Sequence, residues 1–364
     1  MKRVLCIVSN MDRGGAETFL MKIYRTIDTS QYQMDFCVSN TKKGYYDDEI
    51  REKGGRIFII PPKSKNPIKS FFALKKVVKE NAYQSVLRTS QQSLAALDLV
   101  AAKMGGAETL IYRSSNAGLT GGKISSGINK IFSFLPKVVP NVKIAPSTEA
   151  AEFVFGKRAV KQGNVLFLHN GLNYEEFKFN IEKREKIRKE LGVENKRVFG
   201  HVGRLNAQKN HMFLLEVFKH IYEQDKNSVL VLIGEGELEP DIRKKIEKLS
   251  LESNVLLLGP KKKINEYLMA MDLFIFPSFF EGMPNVIIEA QATGLPCIVS
   301  DTVTQEANIT GIVKYLDLDK GPAYWANFII NDQENSRKDH YEDFVEKKYC
   351  IQDVCDIACS VFFT

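Results

Sequence analysis

Two glutamates with seven residues between them, Glu281 and Glu289, stand in the run from Phe276 to Ala290. The apolar stretch Leu273 to Phe276 reads as a buried strand that stops at Pro277. Gly282-Met283-Pro284 reads as a tight turn, and the pattern predicts a helix from about Asn285. Glu281 then lies just before that helix and Glu289 about one turn inside it. Both carboxylates crowd one helix N-terminus at the carboxyl end of a strand. Open α/β sheets bind ligands there, and the helix dipole with its unpaired N–H groups favours anions. Isolated acids in such places are ordinary helix caps; two around one N-terminus, behind a Gly-x-Pro turn, are more specific.

A second group carries positive charge. Gly203-Arg204 and Lys209 fall in the loop after an expected strand, Arg197 to Val202. A guanidinium and an ammonium aimed from a strand's carboxyl end suit a diphosphate. Gly14-Gly15 follows the first strand and precedes the first helix. Paired glycines let the backbone approach a phosphate or sugar without a Cβ in the way. The segment Ser9 to Ala16 has no third glycine at the offset a GxGxxG fingerprint needs, which argues against a dinucleotide cofactor.

These groups need strands and helices to position them, and the chain supplies both in alternation. Strand-like runs are expected at Arg3–Ser9, Met34–Ser39, Arg56–Ile60, Ser85–Arg88, Thr109–Tyr112, Lys143–Pro146 and Val165–Leu168. Helices are expected at Ala16–Ile27, Ile68–Glu80 and Ser93–Met104. The second half repeats the plan at Arg197–Val202, Ser228–Ile233, Val255–Leu258, Leu273–Phe276 and Cys297–Ser300. Such alternation implies βαβ units and mainly parallel sheets. At 364 residues, two domains are the natural division. The expected boundaries are 1–170, 171–340 and a helical tail, 341–364, with the break at Asn170-Gly171.

The wording from Glu281 to Pro296, with Gly14-Gly15-Ala16-Glu17, Asn170-Gly171, Gly203-Arg204-Leu205 and Lys209 in order, resembles the retaining glycosyltransferases of family 4. The resemblance covers roughly the first 320 residues and is nearest in type to bacterial enzymes that build capsule, exopolysaccharide or O-antigen chains. It implies the GT-B fold, two Rossmann-like domains facing each other across a cleft, with the tail crossing back to the first. It implies an acceptor domain first and a nucleotide-sugar domain second. Arg204 and Lys209 would hold the donor diphosphate and stabilise the leaving group. Glu281 would lie beside the donor sugar and Glu289 would accept hydrogen bonds from the ribose. Gly14, Gly15, Gly203, Gly282, Met283, Asn285 and Val286 would complete the donor site. A covalent glycosyl-Glu281 intermediate and same-face attack assisted by the leaving phosphate are both open. Related enzymes often carry histidines in the segment matching Tyr112 to Gly118; this chain has none there, so Ser115 or Asn116 would take the sugar contact.

No cofactor is expected, and transfer without metal, the two cations replacing it. Asp317-Leu318-Asp319 is a D-x-D, but it follows both Rossmann-like halves and reads as chance. The six cysteines lack CxxC spacing, and a reduced, cytoplasmic compartment fits them. Cys350, Cys355 and Cys359 fall on one expected helix. The N-terminal apolar run is too short for a signal peptide and reads as a strand; no run of 18 apolar residues suggests a membrane span.

The net charge of +7 is unevenly spread. Residues 1–170 carry 26 basic against 13 acidic side chains (+13), and the remainder 25 against 31 (−6). Lysines interleave with apolar residues in Lys63–Lys79 and Lys123–Lys143, which makes an anionic membrane surface a candidate partner. The implied partners are therefore a nucleotide-sugar donor, with UDP favoured, a lipid-linked oligosaccharide acceptor and the inner membrane face. Nucleic acid is not expected, since no motif accompanies the charge. Two rivals stand beside the hexosyltransferase reading: a non-catalytic glycan-binding partner of another transferase, and a GT-B nucleotide-sugar epimerase.

Overall fold

The computed structural model describes residues 1–12, 14–114, 127, 129–332 and 337–364. Ser115 and Asn116 lie outside the described residues, as does the start of the basic stretch at Lys123. The described chain forms two compact units, Met1–Gly171 with Lys348–Thr364, and Leu172–Lys347.

The first unit holds a seven-stranded sheet. Its strands are β1 (Lys2–Ile7), β2 (Tyr32–Val38), β3 (Ile57–Ile59), β4 (Ser85–Thr89), β5 (Thr109–Arg113), β6 (Val142–Ala145) and β7 (Leu166–Phe167). They run in the order β3-β2-β1-β4-β5-β6-β7, and each pairing is parallel. The winding reverses between β1 and β4. Side chains alternate along β1: Val4 and Cys6 enter one apolar layer, Leu5 and Ile7 the other. The Gly15–Thr26 helix buries Phe19, Leu20, Ile23 and Tyr24 in the first layer. The Ile351–Phe362 helix adds Val354, Cys355, Ala358 and Phe362 to that same layer. Cys350 is the residue before this helix, not part of it. The Tyr341–Glu346 helix stays with the second unit, and the chain returns to the first only at Lys348.

The second unit holds β8 (Arg197–Val202), β9 (Ser228–Ile233), β10 (Val255–Leu257), β11 (Leu273–Phe276), β12 (Cys297–Ser300) and β13 (Val313–Leu316), in the order β10-β9-β8-β11-β12-β13. The winding reverses between β8 and β11, the two strands whose carboxyl ends carry the Arg204 and Glu281 loops. The sequence reading missed β13. It is four residues at the sheet edge, and its Lys314 pairs with Asp332 at 2.8 Å, so no apolar period shows. The expected helix Ser93–Met104 divides into a 3₁₀ turn, Ser93–Ala96, and a helix, Leu97–Met104.

One carboxylate holds β8 and β11 in register at their other ends. Asp272 accepts from the Val198 N–H at 2.8 Å, from Arg184 at 2.5 Å and from Arg188 at 3.1 Å. Both arginines come from the Ile181–Leu191 helix and also donate to the carbonyls ending the Ile264–Ala270 helix. Burial pushes the Asp272 carboxyl up, but the Val198 N–H and the two guanidiniums outweigh it and hold the group below its ordinary range. Asp272→Ala would leave two largely buried cations without their counter-charge, at a cost of about 3 kcal/mol, read as a lower denaturation midpoint. Because the folded-state pKa is depressed, this contribution is full above the unfolded value of about 3.9. It fades as pH falls through the folded value, so variant and wild type should converge in acid.

Candidate functional site

Lys209 and Glu281 meet. The ammonium lies 2.6 Å from Oε1 of Glu281, and both side chains are largely buried. The ammonium also sits 4.6 Å from the centre of the Phe276 ring, at the end of β11. Local structure explains how each arrives. After β8 the chain runs through Gly203 and the exposed Arg204 into a 3₁₀ turn, Ala207–Lys209, whose N-cap side chain, Asn206, accepts from the Lys209 N–H at 3.3 Å. Asn210 takes a left-handed φ of 54° and starts the His211–Gln224 helix. After β11 the Phe279 N–H donates to the Gln208 carbonyl at 2.9 Å, and the Gln208 amide returns to the Phe280 carbonyl at 2.8 Å. This two-way bond fixes the loops against each other. Glu281 is further held by a parallel bridge to Val303.

Beneath the pair lie two buried histidines that the sequence reading did not select. The His201 ring stacks on Phe276, centres 5.4 Å apart, and His211 meets it edge-on at 4.7 Å. Nδ1 of His201 lies 2.9 Å from the Ile275 carbonyl, so Nδ1 carries the proton and Nε2 is an acceptor. That Nε2 has no partner among the described residues. Burial is the main cause that drives both imidazoles down, His201 well below its ordinary value and His211 to about 4, so both are neutral near pH 7. The positive charge here is therefore carried by Lys209 and Arg204. Among the described residues, no carboxylate lies within ion-pair distance of Arg204.

Glu289 is the fifth residue of the Asn285–Ala292 helix and is partly exposed, and Pro284 is its N-cap. Gly282, Met283, Asn285 and Val286 lie within five residues of Glu281, which meets Lys209, and a Cβ on Gly203 would lie 3.2 Å from the Lys209 Cε. The first-turn N–H groups of a helix have no acceptor within it. Gly14 and Gly15 belong to the first unit, where Gly14 caps the Gly15–Thr26 helix and a Cβ on Gly14 would strike the Glu17 carboxylate. Asp317 spends its side chain as the cap of a 3₁₀ turn, accepting from the Asp319 N–H at 2.8 Å. His169 stacks on Tyr349 at 3.9 Å.

The loop after β9 supports the Gly203 turn, and this too was missed. Gly234 has φ +146°, and a Cβ there would come within 1.9 Å of the Gly203 carbonyl oxygen. The Leu205 N–H donates to the Glu235 carbonyl at 2.9 Å. Two glycines flanking Glu235 at a strand's carboxyl end were the available signal. Gly234→Ala is expected to cost about 1–3 kcal/mol in backbone strain. It would also displace Gly203 and Arg204, which a fall in melting temperature with at least tenfold weaker nucleotide binding would report.

Comparisons with known proteins give the family and the fold. The family described as glycosyl transferases group 1 matches residues 183–311. EpsF of Bacillus subtilis (strain 168), provisionally named a glycosyltransferase, is 33% identical over 333 residues, covering 90% of this chain and 87% of its own. The UDP-Gal:alpha-D-GlcNAc-diphosphoundecaprenol alpha-1,3-galactosyltransferase of Escherichia coli is 29% identical over 302 residues, 79% of this chain and 76% of its own. Among solved structures, HepE of Anabaena in complex with UDP superposes with a TM-score of 0.72 at 19% identity, over 100% of this chain and 96% of that one.

Proposed function

Because the chain belongs to the glycosyl transferases of group 1, we infer that it moves a hexosyl unit from a UDP-sugar to a growing, lipid-linked polysaccharide. It is a retaining glycosyltransferase with the two Rossmann-like domains of the GT-B class. The observation that carries the reading is the Lys209–Glu281 contact at the reversal point of the second sheet, with the exposed Arg204 in the same loop as Lys209. In this reading Arg204 and Lys209 hold the donor diphosphate. Glu281 lies beside the sugar and Glu289 receives the ribose. The backbone of Gly203, Gly282, Met283, Asn285 and Val286 faces phosphate or sugar. By the family resemblance, Gly14 and Gly15 are assigned to donor binding and Ser115 and Asn116 to the choice of sugar.

The step breaks the bond from C1 of the sugar to the diphosphate oxygen. In same-face attack the acceptor oxygen then bonds C1 and its proton passes to the departing phosphate; in the covalent route Glu281 bonds C1 first and the acceptor oxygen displaces it, losing its proton to the same phosphate. Lys209 and Arg204 meet the growing phosphate charge, the term that preorganised cations supply best. No metal is needed in this scheme. Uridine is favoured because HepE is a UDP complex and the Escherichia coli relative is named for UDP-Gal. That relative's diphosphoundecaprenol acceptor supports a lipid-linked one here. No helix among the described residues is long and apolar enough to cross a membrane. Exposed Ile68 and Phe72 beside lysines of the Pro67–Glu80 helix, with exposed Ile131 and Phe134, support peripheral binding to the inner membrane face.

The test is a panel of UDP- and GDP-sugars, in EDTA, scored by thermal stabilisation and slow donor hydrolysis. One UDP-sugar should stabilise the protein, by about 2.7 kcal/mol at a hundred times its Kd, and be hydrolysed. No response to any donor or nucleotide would overturn the reading in favour of a non-catalytic partner. A response that appears only when divalent metal is restored would overturn the metal-free scheme.

A further inference from the structure

Residues 171–364 carry 25 basic against 31 acidic side chains, yet five cations converge on one cavity of the second unit. The cavity has a volume of about 670 Å³, a size that small-molecule sites commonly take. It lies at the amino ends of β8 and β11, where Arg197 begins β8 and Asp272 immediately precedes β11. The Arg204 and Glu281 loops follow the opposite ends of the same two strands. The six residues of β8, about 20 Å of extended chain, therefore lie between this cavity and the Lys209–Glu281 pair.

The charges at the cavity do not balance. Arg184, Arg188, Lys196, Arg197 and Arg337 stand against Asp272 and Glu194. Asp272 is already shared by Arg184 and Arg188, and Glu194 is exposed. Among the described residues, no carboxylate lies within ion-pair distance of Lys196, Arg197 or Arg337. The Arg337 guanidinium is partly buried and donates to the carbonyls of Thr293 at 2.6 Å, of Leu268 at 2.8 Å and of Met271. Those carbonyls hold the group in place without neutralising it. Burial, with Arg184 close by, pushes its pKa down to about 9, the direction a cation takes when it lacks a counter-charge. Donors remain free as well. Nε of Arg184, of Arg188 and of Arg337 has no hydrogen-bond partner among the described residues, and none of the three is sealed from solvent.

Five cations against two carboxylates ask for a multiply charged anion. A single carboxylate would leave two cations over, whereas a phosphate monoester brings about −1.5 to −2 at pH 7. Guanidinium forks match phosphate oxygens in geometry. The Phe179 ring, 4.8 Å from the Arg337 guanidinium, gives the cavity an apolar wall for an organic part. An anionic lipid surface fits poorly, because this half of the chain is acidic overall and would be repelled by it.

We propose that this cavity is a second phosphate site, taking a soluble phosphate ester at the end of the sheet opposite the Lys209–Glu281 pair. The phosphate sits among Arg184, Lys196, Arg197 and Arg337, and the organic part lies against Phe179. The site stands whether or not the transferase reading holds, since it uses none of the residues on which that reading rests.

The test is calorimetric titration of the full chain with inorganic diphosphate and with glucose 1-phosphate, in EDTA and at constant ionic strength. It is run on wild type and on Lys209→Ala, in which the other phosphate-binding candidate is removed. At least one probe should bind Lys209→Ala one to one and raise its Tm beyond the effect of sodium chloride at matched ionic strength. Adding Lys196→Glu should weaken the Kd at least tenfold, and adding Arg197→Ala should weaken it comparably. Lys244→Glu, which changes an exposed lysine elsewhere on this unit, should leave the Kd unchanged. Lys196 is half-buried and has no ion pair among the described residues, so Lys196→Glu should leave the ligand-free melting curve in place; it decides the matter if Arg197→Ala unfolds. No binding of either probe, or a loss in Lys244→Glu as large as in Lys196→Glu, would overturn the site. Binding to wild type that Lys209→Ala abolishes would overturn it too, by placing the phosphate at the other end of the sheet.

Discussion

Glu281→Ala is expected to lower sugar transfer and donor hydrolysis by about a thousandfold, with the fold retained. Glu281 has only 10% of its side chain exposed and holds Lys209 at 2.6 Å, so its charge acts in a site already stripped of most water. Removing one preorganised group of this kind typically lowers kcat by about 10²–10³. On the proposed reading Glu281 is the charge nearest the reacting sugar as well as the anchor of Lys209, which places it at the upper end. Glu281→Gln separates the two open mechanisms. It keeps the shape and a hydrogen-bonding oxygen for Lys209 but loses the negative charge. A covalent intermediate requires the carboxylate itself, so Gln would be as inactive as Ala. Same-face attack needs only local electrostatics, and Gln would recover part of the rate. Single-turnover rates with one UDP-sugar decide between them, and a loss smaller than tenfold in Glu281→Ala would remove Glu281 from the site altogether.

Lys209→Ala is expected to reduce kcat by about 10²–10³, since on the proposed reading it deletes one of two cations offered to the leaving diphosphate. Lys209→Arg should recover little of it. The Lys209 ammonium is a compact point charge held 2.6 Å from Glu281 and over the Phe276 ring, a place that a broad, planar guanidinium does not reproduce. The Lys209→Ala, Glu281→Ala double variant should be scarcely worse than Glu281→Ala alone, because residues that act as a unit lose their effect together. Effects that simply multiply would mean that the ion pair has no part in the chemistry.

The strands that carry these residues were legible because parallel strands buried on both faces read as short apolar runs ended by glycine or proline. Residues 273–276 and 197–202 emerged with the bounds they have in the structure. Val313–Leu316 did not, because an edge strand carries charge and shows no period. The site was legible as separate loops, each marked by its own local signal: glycine beside arginine, or glutamate before a turn. The sequence did not reveal the contact between Lys209 and Glu281, 72 residues apart, nor the bond exchange of Gln208 with Phe279 and Phe280. Such pairings follow from which strands are neighbours, and adjacency of β8 and β11 is a property of the sheet order. His201 was passed over for a similar reason. A lone histidine in an apolar strand looks like core, and what marks it out is an Nε2 near Gly203 with no partner among the described residues.

The first unit takes residues from both sides of the second: the chain leaves at Gly171 and returns at Lys348. On the ribosome this divides its assembly in time. The sheet β1 to β7 is complete once Phe167 has emerged, but the layer under the Gly15–Thr26 helix still lacks Val354, Cys355, Ala358 and Phe362. At about 5–20 residues per second, the gap lasts on the order of ten to forty seconds. Throughout that interval an apolar face of the nascent first unit stands uncovered, while the whole of the second unit is being made. The half of the protein that is translated first is therefore the half whose core closes last.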